Sequence, residues 1–469
     1  MLVCLSGAAF YIGHDRPVLT HRPDPAVEEL TAAVKAYKLV RQDGYNEISP
    51  DQACRGMIEG LLAQVDEYCA YIPPEKYDSF CRRLEGRLQE TGLRVQREGD
   101  RLLCLGALPD SPASHAGIRG GEEIVTINNR PVSRLDGAEI ERLLASGPGG
   151  SVSLHIRDDS GLFRLLELPS AAFDLPTVTG LLLDDRRTWD CDLGEGIYYI
   201  RIREFDSHTP EQLHELYSRL DHPYAVVLDL RDNPGGTLSA AADVADRFLR
   251  SGLIVRTVGR DGSTRAQYAR EDMTYPDLPM VVLINGRTAS AAEIVAGSLR
   301  AHGRAALVGQ TSYGKWLVQS ILPIGRDAGY LYLTTAEYFL PEMPPTTHPA
   351  ATAPASAAAT ASAAAPATMP STAPTTQASR RRGGLSPDVP VELTAEQEES
   401  LRELQLQAIL VPPPLPPEVV TAPGSPGRGE LKEALLAADL PLAEAVAMLR
   451  EELPATRPAA TGPVPTSRP

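Results

Sequence analysis

The stretch MVVLINGRTASAAEIVAG, residues 280–297, opens on an unbroken apolar run, turns at Asn285-Gly286 and continues in small residues. Such a run suits a strand buried on both faces, and the residues after the turn suit a helix entered directly from it. The same pattern occurs upstream, where AVVLDL (225–230) leads through Arg231-Asp232-Asn233-Pro234-Gly235-Gly236 into helical sequence at 239–250. Strands alternating with helices from Phe173 to Leu340, including a helix at 290–301, predict an α/β core spanning 171–393.

Outward from this core the pattern changes. Between Leu88 and Leu168 short alternating runs are separated by turn residues at Pro109-Asp110, Gly120-Gly121 and Asn128-Asn129, with one helix from Gly137 to Ala145. A compact domain is expected at 88–170. Residues 24–87 carry apolar positions at three- and four-residue spacing, such as Val27, Leu30, Val34 and Tyr37, and predict a helical region. Residues 344–379 are Ala, Pro, Ser or Thr except for His348, Met369 and Gln377, a composition that cannot build a core and reads as a disordered insertion. Beyond it, 394–469 reads as amphipathic helices near 394–409 and 429–452, a proline-rich linker at 412–427 and a solvated tail.

At 469 residues with 43% hydrophobic content the chain exceeds one core and predicts several domains. Its formal charge of -16 argues against nucleic acid as a partner. The apolar start from Met1 to Ile12 is too short to span a membrane and lacks a basic flank; a remnant of an export signal or anchor and a buried first strand both suit it. Cys4, Cys54, Cys69, Cys81, Cys104 and Cys191 are scattered without metal-ligand spacing, so no metal site is expected; a lysine base, if the serine chemistry below holds, calls for no cofactor either.

Three segments carry chemistry. LDLRDNPGG (228–236) ends a strand in glycines, which can present backbone N–H groups to a ligand or simply connect a strand to a helix. Ser290, near a helix start, forms a capping-box pattern with Glu293, yet the same position lets helix N–H groups stabilise an oxyanion. GQTSYGKWLVQS (309–320) places Lys315 25 positions beyond Ser290 among Tyr313, Trp316, Leu317 and Val318. Apolar surroundings are what a lysine needs to act as a base near neutrality, since its free pKa is about 10.4. No G-x-S-x-G elbow or histidine-triad pattern competes.

In this order and spacing the segments resemble the carboxyl-terminal processing peptidases, or tail-specific proteases, over roughly 28–393 outside the insertion. The resemblance implies a serine endopeptidase with a crotonase/Clp-protease-like α/β core, a preceding PDZ domain and a helical N-terminal region; the alternative is a non-catalytic PDZ-containing binding or adaptor protein with a peptidase-like body. It assigns Ser290 as nucleophile, Lys315 as general base and Gln319 as the residue positioning the lysine, with an oxyanion hole from Ala291 and Gly235, Gly236 next in order. The marks TGLRV (91–95) and DSPASHAGIRGGEEIVTINNRPV (110–132) resemble a PDZ domain, with the peptide's carboxylate at Gly92 and Leu93. Implied partners are proteins or peptides with accessible carboxyl termini, in the cell envelope, either periplasmic or at the membrane surface. Homo-oligomerisation through the late helices is a further reading, against that of a solvated helix pair. Lys315 and Gln319 lie about 13 Å apart if extended and adjacent only in a helical turn, so a turn through 315–319 is required by that assignment. Trp316, where the family usually has glycine, and the insertion, which splits AEYFLP (336–341) from GGLSPDV (383–389), depart from the pattern.

Overall fold

The computed structural model describes residues 30–84, 87–145, 149–158, 160–184, 188–325, 328–342, 383–411 and 428–452. The apolar start, the 344–379 segment, the 412–427 linker and the end of the tail lie outside the described residues. The chain divides into two units, one made of residues up to Phe80 with Leu317–Glu337, the other of Cys81–Trp316 with residues from Tyr338 on.

Along the chain come helices α1 (Thr31–Asp43) and α2 (Pro50–Leu62), strand β1 (Ala70–Ile72) and helix α3 (Pro74–Leu84). Ser49 starts α2 by accepting the Gln52 N–H while the Gln52 side chain accepts the Ser49 N–H, a reciprocal cap. A sheet follows with strands β2 (Leu93–Glu98), β3 (Arg101–Ala107) and β4 (Glu123–Ile127), helix α4 (Gly137–Ala145), and strands β5 (Ser151–Arg157) and β6 (Phe163–Pro169). The five strands run antiparallel in the order β2-β3-β4-β5-β6, so β2 is an edge strand among the described residues. Its core is Leu102, Ile124, Ile127, Ile140, Val152 and Leu154.

The second sheet contains β7 (Val178–Thr179), β8 (Ile197–Ile202), β9 (Ala225–Asp229), β10 (Met280–Ile284) and β11 (Ala306–Gly309). Helices α5 (Thr209–Ser218), α6 (Leu238–Asp246) and α7 (Ala291–Ala301) connect these strands, and the order closes with β14 (Val389–Pro390). In this sheet β8, β9, β10, β11 and β14 pair in parallel, in that order. Every residue of β9 and β10 is buried, as their unbroken apolar runs require. In the other unit β12 (Leu317–Pro323) and β1 pair antiparallel with β13 (Tyr330–Phe339), and Tyr77 stacks on Tyr330 at 3.7 Å between ring centres.

The carboxyl-terminal helices are not a solvated pair. Among the described residues there are three of them, α8 (Ala395–Ile409), α9 (Arg428–Ala438) and α10 (Leu440–Glu452), the expected 429–452 helix being broken at Asp439 ahead of Pro441. Leu401, Leu431, Leu435, Leu442, Ala445 and Leu449 share one buried cluster with Ile197, Tyr199, Val227, Val281 and Leu283 of the sheet. Alternate strand residues such as Val226, Leu228 and Val282 face the other way, so helices cover both faces, as a parallel sheet demands. The end of α8 also reaches the first sheet, where the Val411 N–H donates to the Ala107 carbonyl (2.9 Å) and Leu410 packs with Leu108 and Phe173.

Because α10 is core, Leu449→Ala is expected to lower the unfolding free energy by about 2–5 kcal/mol in denaturant titration. A change within about 0.5 kcal/mol would mark a surface helix instead.

Candidate active site

Strands β9 and β10 are neighbours in parallel register, Asp229 opposite Leu283, so the loops leaving their carboxyl ends emerge side by side. One loop carries Asp232–Gly236, the other Asn285–Ser290. Several bonds latch them. The Thr288 hydroxyl donates to the Leu230 carbonyl (2.9 Å), the Ala289 N–H donates to the Asn233 carbonyl (2.9 Å), and the Asp232 N–H donates to Asn285 Oδ1 (3.0 Å). Asn285 Nδ2 and Arg287 Nε both donate to Asp232 Oδ1, at 2.9 and 2.6 Å. Burial raises the Asp232 pKa, but the Asn285 bond and the charges of Arg201 and Arg287 outweigh it and hold the carboxyl below its ordinary range.

The latch seats the glycine turn against the serine. A methyl group at Gly235, whose φ is +107°, would meet Ser290 Cβ at 2.8 Å, the Ala289 carbonyl oxygen at 2.9 Å and the Ala291 nitrogen at 3.0 Å. Only glycine fits there. Ser290 itself has φ 55° and ψ -116°, a region that costs a non-glycine residue of order 1–3 kcal/mol and is held only by surrounding structure. The conformation gives a sharp strand-to-helix turn without the G-x-S-x-G pattern that usually advertises one.

Glu293, fully buried, supplies much of that holding. Its Oε2 accepts the N–H groups of Ser290 (2.8 Å) and Lys315 (2.9 Å), while its Oε1 accepts the Gly314 N–H (2.7 Å) and the Ser312 hydroxyl. One carboxylate thus ties the serine segment to the lysine segment. Burial pushes the Glu293 pKa above the usual carboxylate range, against the lowering effect of those hydrogen bonds.

The lysine segment is walled from both sides of the 344–379 segment. Tyr338 donates its N–H to the Trp316 carbonyl (3.0 Å) and its hydroxyl to the Ser290 carbonyl (3.1 Å). Trp316 is buried, tilted against the Tyr338 ring at 5.2 Å, and donates its indole N–H to the Gly383 carbonyl (3.2 Å). The Leu385 N–H donates to Ser312 Oγ (2.6 Å).

Two sequence expectations need correction. No helical turn runs through 315–319: Leu317–Pro323 is strand, with a register shift between Val318 and Gln319. The turn expected between Lys315 and Gln319 is therefore absent, and the Gln319 amide nitrogen donates to Thr334 Oγ1 (3.1 Å). The Gly235 N–H, first choice as oxyanion donor, is directed at Asn233 Oδ1 (2.8 Å), which brings Gly236 forward. In the first sheet, Gly92 has φ +74° and its carbonyl accepts the Leu108 N–H (2.9 Å), while Leu93 begins edge strand β2 and is buried. Sequence reading missed Asp232, Asn285, Arg287 and Tyr338, whose partners are distant in the chain; for Glu293 the capping pattern was the available signal.

Comparison with known proteins adds an independent line. The model for "Peptidase family S41" matches residues 196–354 and that for "PDZ domain" residues 105–158. The chain is similar to a carboxyl-terminal-processing protease of Picosynechococcus (33% identity, 62% of this chain and 69% of that one). It is also similar to one of Synechocystis (30%, 72% and 82%) and one of Bartonella bacilliformis (31%, 69% and 74%). Among solved structures it is similar to the photosystem II D1 C-terminal processing protease, with 21% identity, a TM-score of 0.41, and 79% of this chain and 89% of that one covered.

In Glu293→Gln either amide orientation sets an NH₂ against at least one backbone N–H that cannot turn away, and stability should fall by about 1–3 kcal/mol at neutral pH. Because the folded pKa of Glu293 is raised, its contribution is fully present below the unfolded carboxylate pKa and is lost as pH rises through the folded value. The wild-type stability measured against Glu293→Gln should therefore improve as pH falls from neutral toward 4; the opposite slope in paired denaturant titrations would contradict the assigned shift.

Proposed function

The chain belongs to peptidase family S41, among its carboxyl-terminal-processing proteases, and from that membership we propose a Ser-Lys endopeptidase in which Ser290 is the nucleophile and Lys315 its general base. The observation that carries this reading is the shared Glu293 oxygen, which holds the backbone nitrogens of Ser290 and Lys315 on one atom. Two residues so far apart in sequence have no need of a common buried anchor unless their relative position matters.

In the proposed cycle the neutral Lys315 amine takes the proton as Ser290 Oγ attacks the scissile carbonyl. The oxyanion forms beside the Ala291 N–H at the start of α7, where the helix terminus favours negative charge, with a glycine of the turn as second donor. Gly236 takes that role directly; Gly235 takes it once its N–H leaves Asn233 Oδ1. Collapse of the adduct expels the amine, which collects the proton from the Lys315 ammonium. Water, deprotonated by the same lysine, then releases the acyl group and restores Ser290.

Substrate presentation falls to the PDZ domain. A carboxyl-terminal segment adds as a strand along β2, an edge strand among the described residues, its carboxylate held at Gly92 and Leu93. The parallel strand-helix repeats of β8 to β11 support relating the core to the crotonase/Clp-protease superfold. No described helix is long and apolar enough to cross a membrane; an envelope setting, periplasmic or at the membrane surface, follows the resemblance.

The test is proteolysis of an unfolded protein with an apolar carboxyl-terminal tail. Ser290→Ala and Lys315→Ala, checked to be folded, should each lower kcat by at least about 10³-fold. Cleavage surviving Ser290→Ala would refute the assignment, and no cleavage by any form across several tails would favour a peptide-binding chain without catalysis. Amidating the tail's carboxylate should raise KM and leave kcat nearly unchanged.

A further inference from the structure

Arg231 stands at the entry to the glycine turn, and its guanidinium is buried between two carboxylates. Asp229, at the end of β9, accepts from Arg231 Nε (3.0 Å) and Nη2 (2.6 Å); Asp439 accepts from Nη1 and Nη2, both at 2.6 Å. The Arg231, Asp229 and Asp439 side chains are 4%, 0% and 3% exposed. Tyr199 adds its hydroxyl to Asp229 Oδ2 (2.6 Å), and the Arg231 carbonyl accepts from Arg201 Nη2 (3.3 Å). Asp439 comes from the break between α9 and α10, 208 positions from Arg231.

We propose that Asp439 is a positioning residue for the peptidase reaction, its carboxylate fixing Arg231 and through it the Asp232–Gly236 turn that faces Ser290. The inference rests on the Ser290 reading above. A simpler role exists for Asp439, since its Oδ1 accepts the Leu442 N–H (3.0 Å) and so caps α10. Capping, however, needs one acceptor oxygen, which asparagine supplies equally well. The paired, two-pronged approach to a buried guanidinium needs both oxygens and the charge. Arg231 also leaves little slack: its own N–H is tied to Asp229 Oδ1 (2.9 Å), and the adjoining Leu230 and Asp232 are bonded to the serine loop. A guanidinium that loses one carboxylate in a buried site must move toward another partner, and here it carries the turn with it.

Asp439→Asn keeps the cap and removes the charge pair. In the full chain, kcat on the tailed protein should fall by about 10- to 100-fold, with KM within about twofold of wild type because substrate binding lies elsewhere. Affinity for a peptide aldehyde, which forms a tetrahedral adduct on Ser290, should fall by the same factor as kcat, while affinity for the matching peptide acid stays constant. Leu449→Ala loosens the same helix without touching the carboxylate, and its folded fraction should keep wild-type kcat and aldehyde affinity. Asp439→Glu, which keeps the charge but shifts it by one methylene, should lower kcat in the same direction and serves if Asp439→Asn does not fold.

Wild-type kcat and aldehyde affinity in the folded Asp439 variants would overturn the proposal, as would an equal loss in Leu449→Ala. Absence of Ser290-dependent cleavage in the wild type would remove the peptidase reading and this inference together, whereas normal wild-type cleavage with intact Asp439 variants would remove this inference alone.

Discussion

A single buried carboxylate organises the site. Glu293 accepts hydrogen bonds from Ser290, Ser312, Gly314 and Lys315, so the strained serine turn and the lysine segment share one reference point. A carboxylate suits this task because its two oxygens are acceptors only, and every group facing it is a donor. Burial makes each of those bonds costly to break and makes the carboxyl itself costly to ionise, which is why its pKa moves upward despite four donors. The energy needed to hold Ser290 at positive φ is drawn from this network and from the Tyr338 hydroxyl on the Ser290 carbonyl.

Around that centre the fold is arranged to keep two loops in register. Parallel pairing of β9 and β10 brings them to the same sheet end, and the Asp232, Asn285 and Arg287 latch locks them together beyond the last ladder bonds. The carboxyl-terminal helices belong to the same scheme. They bury Leu442, Ala445 and Leu449 against the sheet, so the parallel strands that aim the loops are covered on both faces. At its other end α8 meets the first sheet through Leu410 and Val411, so this late segment touches both the PDZ-domain sheet and the parallel sheet from which the Ser290 loop leaves.

What the sequence disclosed followed the range of the interactions. The AVVLDL and MVVLIN runs announced buried strands because burial on both faces forbids alternation, and Gly137–Ala145 announced a helix through local periodicity. Ser290 and Lys315 were legible as parts of segments with family resemblance. Glu293 was legible only as a helix cap, since Ser312, Gly314 and Lys315 reach it through folding alone. The Gln319 expectation came from the family resemblance, and the helical turn it called for gave way because Leu317–Pro323 pairs with Tyr330–Phe339, a non-local choice. The break at Asp439 was missed by reading 429–452 as one helix, although Pro441 cannot donate an N–H to a continuing helix; the ion pair of Asp439 with Arg231 left no trace in local sequence.

The central claim is that Lys315 activates Ser290. It is tested most directly by the pH dependence of Ser290 labelling with a fluorophosphonate, the modified residue being identified by mass spectrometry. The account predicts label on Ser290, with a rate that rises through a pKa well below the free lysine value of about 10.4, and labelling slowed by at least about 100-fold in folded Lys315→Ala. Equal labelling rates with and without Lys315, or label on another residue, would contradict it.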